Sequence, residues 1–291
     1  MKEFLIVLFV VTMAFADEKD ENIDIKGFES LETKNSVEKW LDGNFGLKPH
    51  NVNFILPISV REHPYNSRIP DLNYENLESQ LQVSLKLNLF KNYFGLNEKY
   101  YFAYTQRAFW QFYIDSSPFR ETLYSPEAFV EFPVEDRHSM FGLRSLTFGY
   151  SHESNGQPDT DGIKFENAQS PLENFSRSLN FFYLKVRTQH KALISDFKIL
   201  APFDDLSDNP SIMDYRGYTE LKFTYFIDEH MFTLMGRGNL QKLRGAAEAT
   251  YSYPLLNDAN LYVHIFSGYG ESLIDYNNNI TKYSIGFSFS R

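Results

Sequence analysis

The stretch Leu81-Gln82-Val83-Ser84-Leu85-Lys86-Leu87-Asn88-Leu89 places an aliphatic residue at every odd position and a polar one at every even position. Successive side chains of a β-strand point to opposite faces, so this segment reads as a strand with one apolar and one polar face. Tyr283-Ser284-Ile285-Gly286-Phe287-Ser288-Phe289-Ser290 repeats the alternation with small residues on the second face, and Leu221, Phe223 and Tyr225 alternate with Glu220, Lys222 and Thr224. A soluble sandwich would alternate in the same way, so strand length and connections decide. Alternating runs between turn signals predict twelve strands, near 50–60, 79–90, 99–113, 121–135, 139–154, 177–189, 191–203, 215–227, 230–239, 245–255, 259–270 and 281–291. Most exceed the globular mean of about 5–6 residues and reach the roughly 9–11 that a tilted strand needs to cross a bilayer. The connections 61–78, 114–120, 155–176, 204–214, 240–244 and 271–280 are mostly longer and polar, while those near 136–138, 190, 228–229 and 256–258 are tight; the 91–98 turn departs from this parity. An even number of long strands with short turns on one side and long loops on the other predicts an all-β fold, a twelve-stranded antiparallel transmembrane β-barrel.

Composition narrows the classes further. Hydrophobic residues make up 43% of the 291-residue chain, yet mean hydropathy is −0.39 and no run approaches the roughly 20 apolar residues of a spanning helix. The absence of cysteine excludes a disulfide scaffold, a thiol nucleophile and a thiolate-bound metal. With 28 Phe and 19 Tyr against 2 Trp, the aromatic content is that of a β-rich chain with many interfacial rings. A net charge of −10 offers no electrostatic footprint for nucleic acid and favours a cation as partner.

Phe4 to Met13 is an almost unbroken apolar run behind Lys2, and Ala14-Phe15-Ala16 has the small-x-small form of a signal-peptidase site. Residues 1–16 are therefore expected to be a signal peptide and 17–48, acidic and polar, an N-terminal periplasmic extension. The barrel is assigned to 49–291.

In this scheme odd-numbered strands run outward. Residue 154 then ends the fifth strand at the outer side, and loop 155–176 faces the cell exterior. Along the fifth strand Leu146, Phe148, Tyr150, His152 and Ser154 share the apolar face, opposite Thr147, Gly149 and Ser151; in the sixth, Asn180 shares its face with Phe182, Leu184 and Val186. Three polar groups thus converge where lipid should be, which marks a functional site because uncompensated polar groups there are costly. An i, i+2 spacing puts Cβ atoms about 7 Å apart, within reach of a Ser–His hydrogen bond. A serine, a histidine that takes its proton and a third group that orients the histidine form the minimum set for acyl transfer. From spacing alone, the rival reading is that these residues are solvated at the interfacial rim. The other histidines compete poorly: His50 and His63 lie near the first strand and its loop, His138, His190 and His230 at predicted turns, and His264 on the lumen side.

The stretch Tyr150-Ser151-His152-Glu153-Ser154-Asn155-Gly156 resembles the active-site strand of the bacterial outer membrane phospholipase A family. Tyr104-Thr105-Gln106 with Trp110-Gln111 and Ser116-Ser117-Pro118-Phe119-Arg120-Glu121-Thr122, the run Ser267-Gly268-Tyr269-Gly270-Glu271-Ser272-Leu273-Ile274-Asp275-Tyr276-Asn277, and Ser176-Arg177-Ser178-Leu179-Asn180 resemble the same family. The resemblance implies a calcium-dependent phospholipase of the bacterial outer membrane, hydrolysing acyl esters of phospholipids and lysophospholipids at both positions (A1/A2) from a site near the outer leaflet. It implies Ser154 as nucleophile, His152 as base, Asn180 as its orienter and the Gly156 backbone N–H as oxyanion donor. It implies Ca2+ held by the carbonyls of Ser116 and Gln157 and the hydroxyl of Ser176, with Ser116 coming either from the same chain or from a partner subunit. It further implies an active homodimer with Gln106 in its interface.

Departures from the family pattern accompany these motifs. The Ser154 to Asn180 stretch is longer than usual, with 157–175 looking inserted, so Asn174 and Asn167 stand as fallback orienters. Leu179 replaces a common aromatic, and Gln157 stands where Arg is frequent. By chemistry alone Asp159 and Asp161 are more typical calcium ligands, Glu271 and Asp275 read as solvated outer-loop charges, and Arg144 is expected to snorkel to the inner membrane surface. Two non-enzymatic readings remain at this stage: a porin or transporter lined by Lys86, Lys185, Arg187 and Arg237, and an adhesin acting through its outer loops.

Overall fold

The computed structural model describes residues 30, 31, 33, 46–65, 72–134, 140–158, 174–203 and 206–290. The expected signal peptide, nearly all of the N-terminal extension, His138, Asp159, Asp161 and Asn167 lie outside the described residues. The barrel belongs to the unit Lys48–Arg291.

A short segment, β1 (Leu47–Pro49), precedes twelve strands: β2 (Phe54–Arg61), β3 (Leu77–Lys91), β4 (Lys99–Trp110), β5 (Phe119–Pro133), β6 (Leu143–Ser154), β7 (Ser178–His190), β8 (Leu193–Pro202), β9 (Thr219–Ile227), β10 (His230–Asn239), β11 (Arg244–Pro254), β12 (Asn260–Gly268) and β13 (Ile280–Ser288). Each pairs antiparallel with the next, and β13 returns to β2 with Ile285 opposite Ile58 and Phe287 opposite Ile55. The sheet is therefore a closed twelve-stranded barrel with no free edge along these strands. At the closing seam the register shifts between Ile285 and Phe287. A Cβ on Gly286 would sit 2.2 Å from the Ile55 carbonyl oxygen, so only glycine lets the two backbones approach there.

Three predicted strand ends are corrected. Residues 111–113 leave β4 for a loop in which Ser116 and Ser117 take left-handed backbone conformations. Residues 140–142 form a 3-10 turn before β6, and 212–216 form a short helix, α1 (Ile212–Arg216), rather than the start of β9. The long 92–98 turn is ordered by Glu98, whose carboxylate accepts the N–H groups of Phe94 (2.6 Å) and Leu96 (3.0 Å).

The two faces of the wall behave as the alternation requires. In β3 Val83, Leu87 and Leu89 face outward while Glu78, Gln80 and Ser84 are buried; in β13 Tyr283, Ile285 and Phe287 are exposed while Lys282, Ser284 and Ser288 are buried. The outward face is apolar, as a lipid-exposed barrel requires.

The lumen is packed rather than open at the end that carries the longer loops. Lys282 Nζ lies 2.7 Å from Glu78 and 2.6 Å from the Glu271 carboxylate, and Arg120 binds Glu78 at 3.0 Å and Asp275 at 2.8 Å. Glu271 and Asp275 are therefore not solvated loop charges. The 269–279 loop turns inward over the barrel mouth, because Arg120 and Lys282 are buried cations that need counter-charges. Elsewhere in the lumen Arg187 makes a two-point pair with Asp196 (2.6 and 2.8 Å), Arg237 donates to the carbonyls of Tyr269 and Gly270, and Lys86 lies over the Tyr101 ring. Most cations that would line a permeation path are thus already engaged.

Candidate active site

Strands β6 and β7 bring the predicted polar residues together on the outer face. In their register His152 is directly opposite Asn180, Tyr150 opposite Phe182, and Ser154 opposite Ser178. On this face Leu146, Phe148, Phe182 and Leu184 are exposed, whereas Ser145, Thr147 and Ser151, one residue out of phase, are buried in the wall.

His152 Nδ1 is 2.8 Å from Asn180 Oδ1. An amide oxygen only accepts, so in this arrangement the proton sits on Nδ1 and leaves the Nε2 lone pair available as a base. The same Oδ1 accepts the Tyr150 hydroxyl at 2.9 Å. Ser154 stands two residues beyond His152 on the same face, flanked in register by Tyr124 of β5 and Ser178 of β7. Its hydroxyl makes no hydrogen bond to His152 here, so the structure assembles the His–Asn half of the set and leaves the Ser–His contact open. Contacts of this kind often tighten only with substrate bound.

Beyond Ser154 the chain is held by Asn155, which is buried. Its Oδ1 accepts the N–H groups of Gln157 (3.3 Å) and Arg177 (3.1 Å), and its Nδ2 donates to the Phe175 carbonyl (2.8 Å). This clip brings Gln157 beside the Ser176–Arg177 segment. Gly156 has φ +64°, and a Cβ there would meet the Tyr124 ring at 2.8 Å, so the position needs glycine both for conformation and for space. The Asn174 side chain accepts the Ser176 N–H at 2.9 Å, so it orders the loop rather than the imidazole.

The loop between β8 and β9 supports the same two strands. Asp208 accepts the Ser176 hydroxyl (3.2 Å), Asn209 accepts the Ser178 N–H (3.1 Å), and the Phe203 N–H donates to the Asn180 carbonyl (3.3 Å). From α1, Arg216 pairs with Glu153 on the lumen side of β6. None of these supports was read from sequence. The Tyr150 hydroxyl was within reach of the parity argument, since Tyr150 precedes His152 by two residues on the same face.

Ser116 is exposed in the 111–118 loop, and among the described residues no hydrogen bond or ion pair joins it to Gln157 or Ser176. Among those residues no group of three His, Asp or Glu side chains is arranged to hold a metal. Gln106 lies on the outer face of β4, with its Oε1 accepting the Tyr104 hydroxyl at 3.1 Å. Of the other histidines, His50 pairs with Glu127 and His264 with Glu248, both at 3.1 Å, and His230 with the Tyr251 hydroxyl at 2.9 Å.

A closed barrel with an apolar exterior and a polar cluster set into that exterior defines an integral β-barrel membrane protein. The chain matches the family described as Phospholipase A1 over residues 31–289. It is 33% identical over 251 residues to Phospholipase A1 of Salmonella typhimurium, covering 84% of this chain and 82% of that relative. It is 32% identical over 259 residues to Phospholipase A1 of Escherichia coli, with the same coverage of 84% and 82%. Among solved structures, an active-site mutant of outer membrane phospholipase A from Escherichia coli, an asparagine-to-alanine variant, superposes with a TM-score of 0.75 at 30% identity, covering 86% of this chain and 93% of that one. The Salmonella typhi outer membrane phospholipase dimer with bound calcium gives 0.75 at 31% identity, covering 85% and 93%. The chain belongs to the phospholipase A1 family and is a phospholipase, a carboxylic ester hydrolase.

Proposed function

We propose that the chain is a calcium-dependent phospholipase of the bacterial outer membrane, hydrolysing acyl esters of phospholipids and lysophospholipids (A1/A2) with Ser154, His152 and Asn180 and acting as a homodimer. The observation that carries this reading is the 2.8 Å His152–Asn180 hydrogen bond on the apolar exterior, in phase with Ser154. Its kinship with outer membrane phospholipase A supports the compartment, and the active-site asparagine of the Escherichia coli relative supports the role of Asn180. The site lies at the barrel end that carries the long loops, the outer-leaflet end of such barrels.

In this mechanism Ser154 Oγ attacks the ester carbonyl carbon while His152 Nε2 takes the hydroxyl proton. Asn180 Oδ1 holds the Nδ1–H and favours the imidazolium that forms. The Gly156 N–H donates to the carbonyl oxygen as negative charge develops on it. Collapse of the tetrahedral adduct breaks the ester C–O bond, and His152 returns its proton to the departing lysolipid oxygen. A water deprotonated by His152 then cleaves the acyl-Ser154 ester, releasing fatty acid and regenerating the serine.

The donor set proposed for calcium is all oxygen: the Gln157 carbonyl, the Ser176 hydroxyl and the Ser116 carbonyl. Hard cations take such ligands, and the Asn155 clip already gathers Gln157 and Ser176. Ser176 donates its proton to Asp208, which leaves the hydroxyl oxygen free to accept a cation. These residues fit the ion. Bound there, calcium would add positive charge beside the developing oxyanion. Ser116, exposed and joined to neither of the other two by any hydrogen bond or ion pair among the described residues, fits contribution from a second subunit, and the Salmonella typhi relative is a dimer with bound calcium. Acyl release from phospholipid vesicles tests the reading. The wild type should be active with calcium and silent in excess chelator, and Ser154→Ala should be silent in both; turnover by purified Ser154→Ala would overturn it.

A further inference from the structure

The aromatic residue Tyr150 lies on the lipid face beside Phe182 and Phe203, with ring centroids 5.9 and 5.8 Å away. Its position in a lipid-facing barrel wall accounts for the ring but not for the hydroxyl, which turns along the wall to donate to Asn180 Oδ1 at 2.9 Å. That oxygen is also the acceptor for His152 Nδ1 at 2.8 Å. A carbonyl oxygen has two lone pairs, and here one serves the base and the other the tyrosine.

We propose that Tyr150 is a positioning residue of the hydrolytic site: its hydroxyl fixes the Asn180 side chain so that the amide oxygen, not the amide nitrogen, faces the His152 imidazole. This rests on the Ser154–His152–Asn180 reading above. The physical need is specific to the place. Asn180 stands on an apolar face, two residues before Phe182, and rotation about its terminal bond would present N–H groups to the imidazole. That rotated amide matches the tautomer protonated on Nε2, which cannot accept the Ser154 proton, and it repels the imidazolium formed during attack. A second donor locked onto Oδ1 opposes the rotation. Tyr150 can serve because β6 places it two residues before His152, while the β6–β7 register sets Asn180 opposite His152. Its ring packs against Phe182 and Phe203, whose own ring centroids are 4.9 Å apart, and this three-ring cluster limits where the hydroxyl can swing.

Tyr150→Phe removes the hydroxyl and keeps the ring packing, so the barrel should fold normally. A neutral hydrogen bond of this kind corresponds to roughly three- to tenfold in rate. We expect that loss in kcat, with KM for a short-chain ester unchanged because the tyrosine does not touch the acyl chain. The decisive arm is a double-mutant cycle. If Tyr150 acts through Asn180, adding Tyr150→Phe to Asn180→Ala costs nothing further, whereas a purely structural tyrosine costs the same in both backgrounds. Unchanged kcat in Tyr150→Phe, or an equal loss in both backgrounds while Asn180→Ala is itself impaired, overturns this proposal and leaves the triad standing. If Asn180→Ala is fully active, the triad reading falls and this one with it.

Discussion

Arg216 grips both oxygens of Glu153, with Nη2 at 2.8 Å from Oε1, on the lumen side of the strand whose outer side carries His152 and Ser154. Glu153 lies between the proposed base and nucleophile in sequence and points the opposite way. The pair therefore anchors the backbone from which both proposed catalytic side chains project, and it does so from α1, a loop helix far along the chain.

Removing one partner should be costly, and removing both much less so. Arg216→Met leaves a largely buried carboxylate without its counter-charge. Both side chains retain some exposure, 16% and 19%, so we expect a loss of about 2–3 kcal/mol, below the roughly 3–5 kcal/mol of a fully buried pair. Arg216→Met with Glu153→Met should recover most of that stability. Urea unfolding in detergent micelles measures both. A single variant as stable as wild type would show that the pair does not hold β6.

The hierarchy within the catalytic set follows from the roles assigned. Ser154→Ala and His152→Ala should each lower ester hydrolysis by roughly 10³-fold or more while leaving a folded barrel, and the double variant should be little worse, because nucleophile and base act as one unit. Asn180→Ala should lose less, since it orients the base without taking the proton. Initial rates on a chromogenic ester with purified variants check the order. A loss in Asn180→Ala as complete as in Ser154→Ala would give Asn180 more than an orienting role.

The barrel was legible because its determinant is local. A period of two across Leu81 to Leu89 needs no knowledge of the rest of the chain, and the same parity put His152, Ser154 and Asn180 on one outer face, where the structure has them. What stayed hidden depends on loop paths. Asp208, Asn209 and Arg216 reach the site from the 203–218 connection, and no spacing rule announces which polar loop residue will turn inward. Glu271 and Asp275 were misread for the same reason: an acidic loop looks solvated until the buried cations it must neutralise, Lys282 and Arg120, are seen beneath it. The Tyr150 hydroxyl is hidden for another reason: a tyrosine on a lipid face has an ordinary explanation as part of the aromatic girdle.

Calcium dependence should reveal the Asn155 clip. A site of carbonyls and hydroxyls with few formal charges should bind weakly, on the order of 10⁻⁴–10⁻³ M. Asn155→Ala frees both Gln157 and the Ser176 segment from their common anchor, so the calcium concentration for half-maximal activity should rise about tenfold or more, with much of the maximal rate recovered at saturation. A calcium titration of activity decides this. An unchanged midpoint would mean that Gln157 and Ser176 do not form the site, and full activity in excess chelator would remove the ion from the mechanism.

Control of the enzyme follows from where the site lies. A hydrolase whose active face is bathed in membrane lipid would degrade its own membrane if it were always competent, so something other than substrate affinity must limit it. Among the described residues no hydrogen bond or ion pair joins Ser116 to Gln157 or Ser176, and a monomer on this reading lacks a complete calcium site. Calcium and substrate should then each favour the dimer, because each binds the dimer better than the monomer. Gln106 is the probe: one of its amide ends is engaged by Tyr104, and in the proposed dimer its N–H groups, on an apolar face, would gain a partner across the interface, where such bonds contribute about 1–2 kcal/mol in model peptides. Cross-linking yields of wild type and Gln106→Ala, with and without calcium and an acyl-serine inhibitor, should show calcium and inhibitor each raising the dimer fraction and Gln106→Ala lowering it. If inhibited, calcium-loaded protein stays monomeric at concentrations where the enzyme turns over, dimerisation is not the switch, and Ser116 must be dropped from the metal site while Ser154, His152 and Asn180 are unaffected.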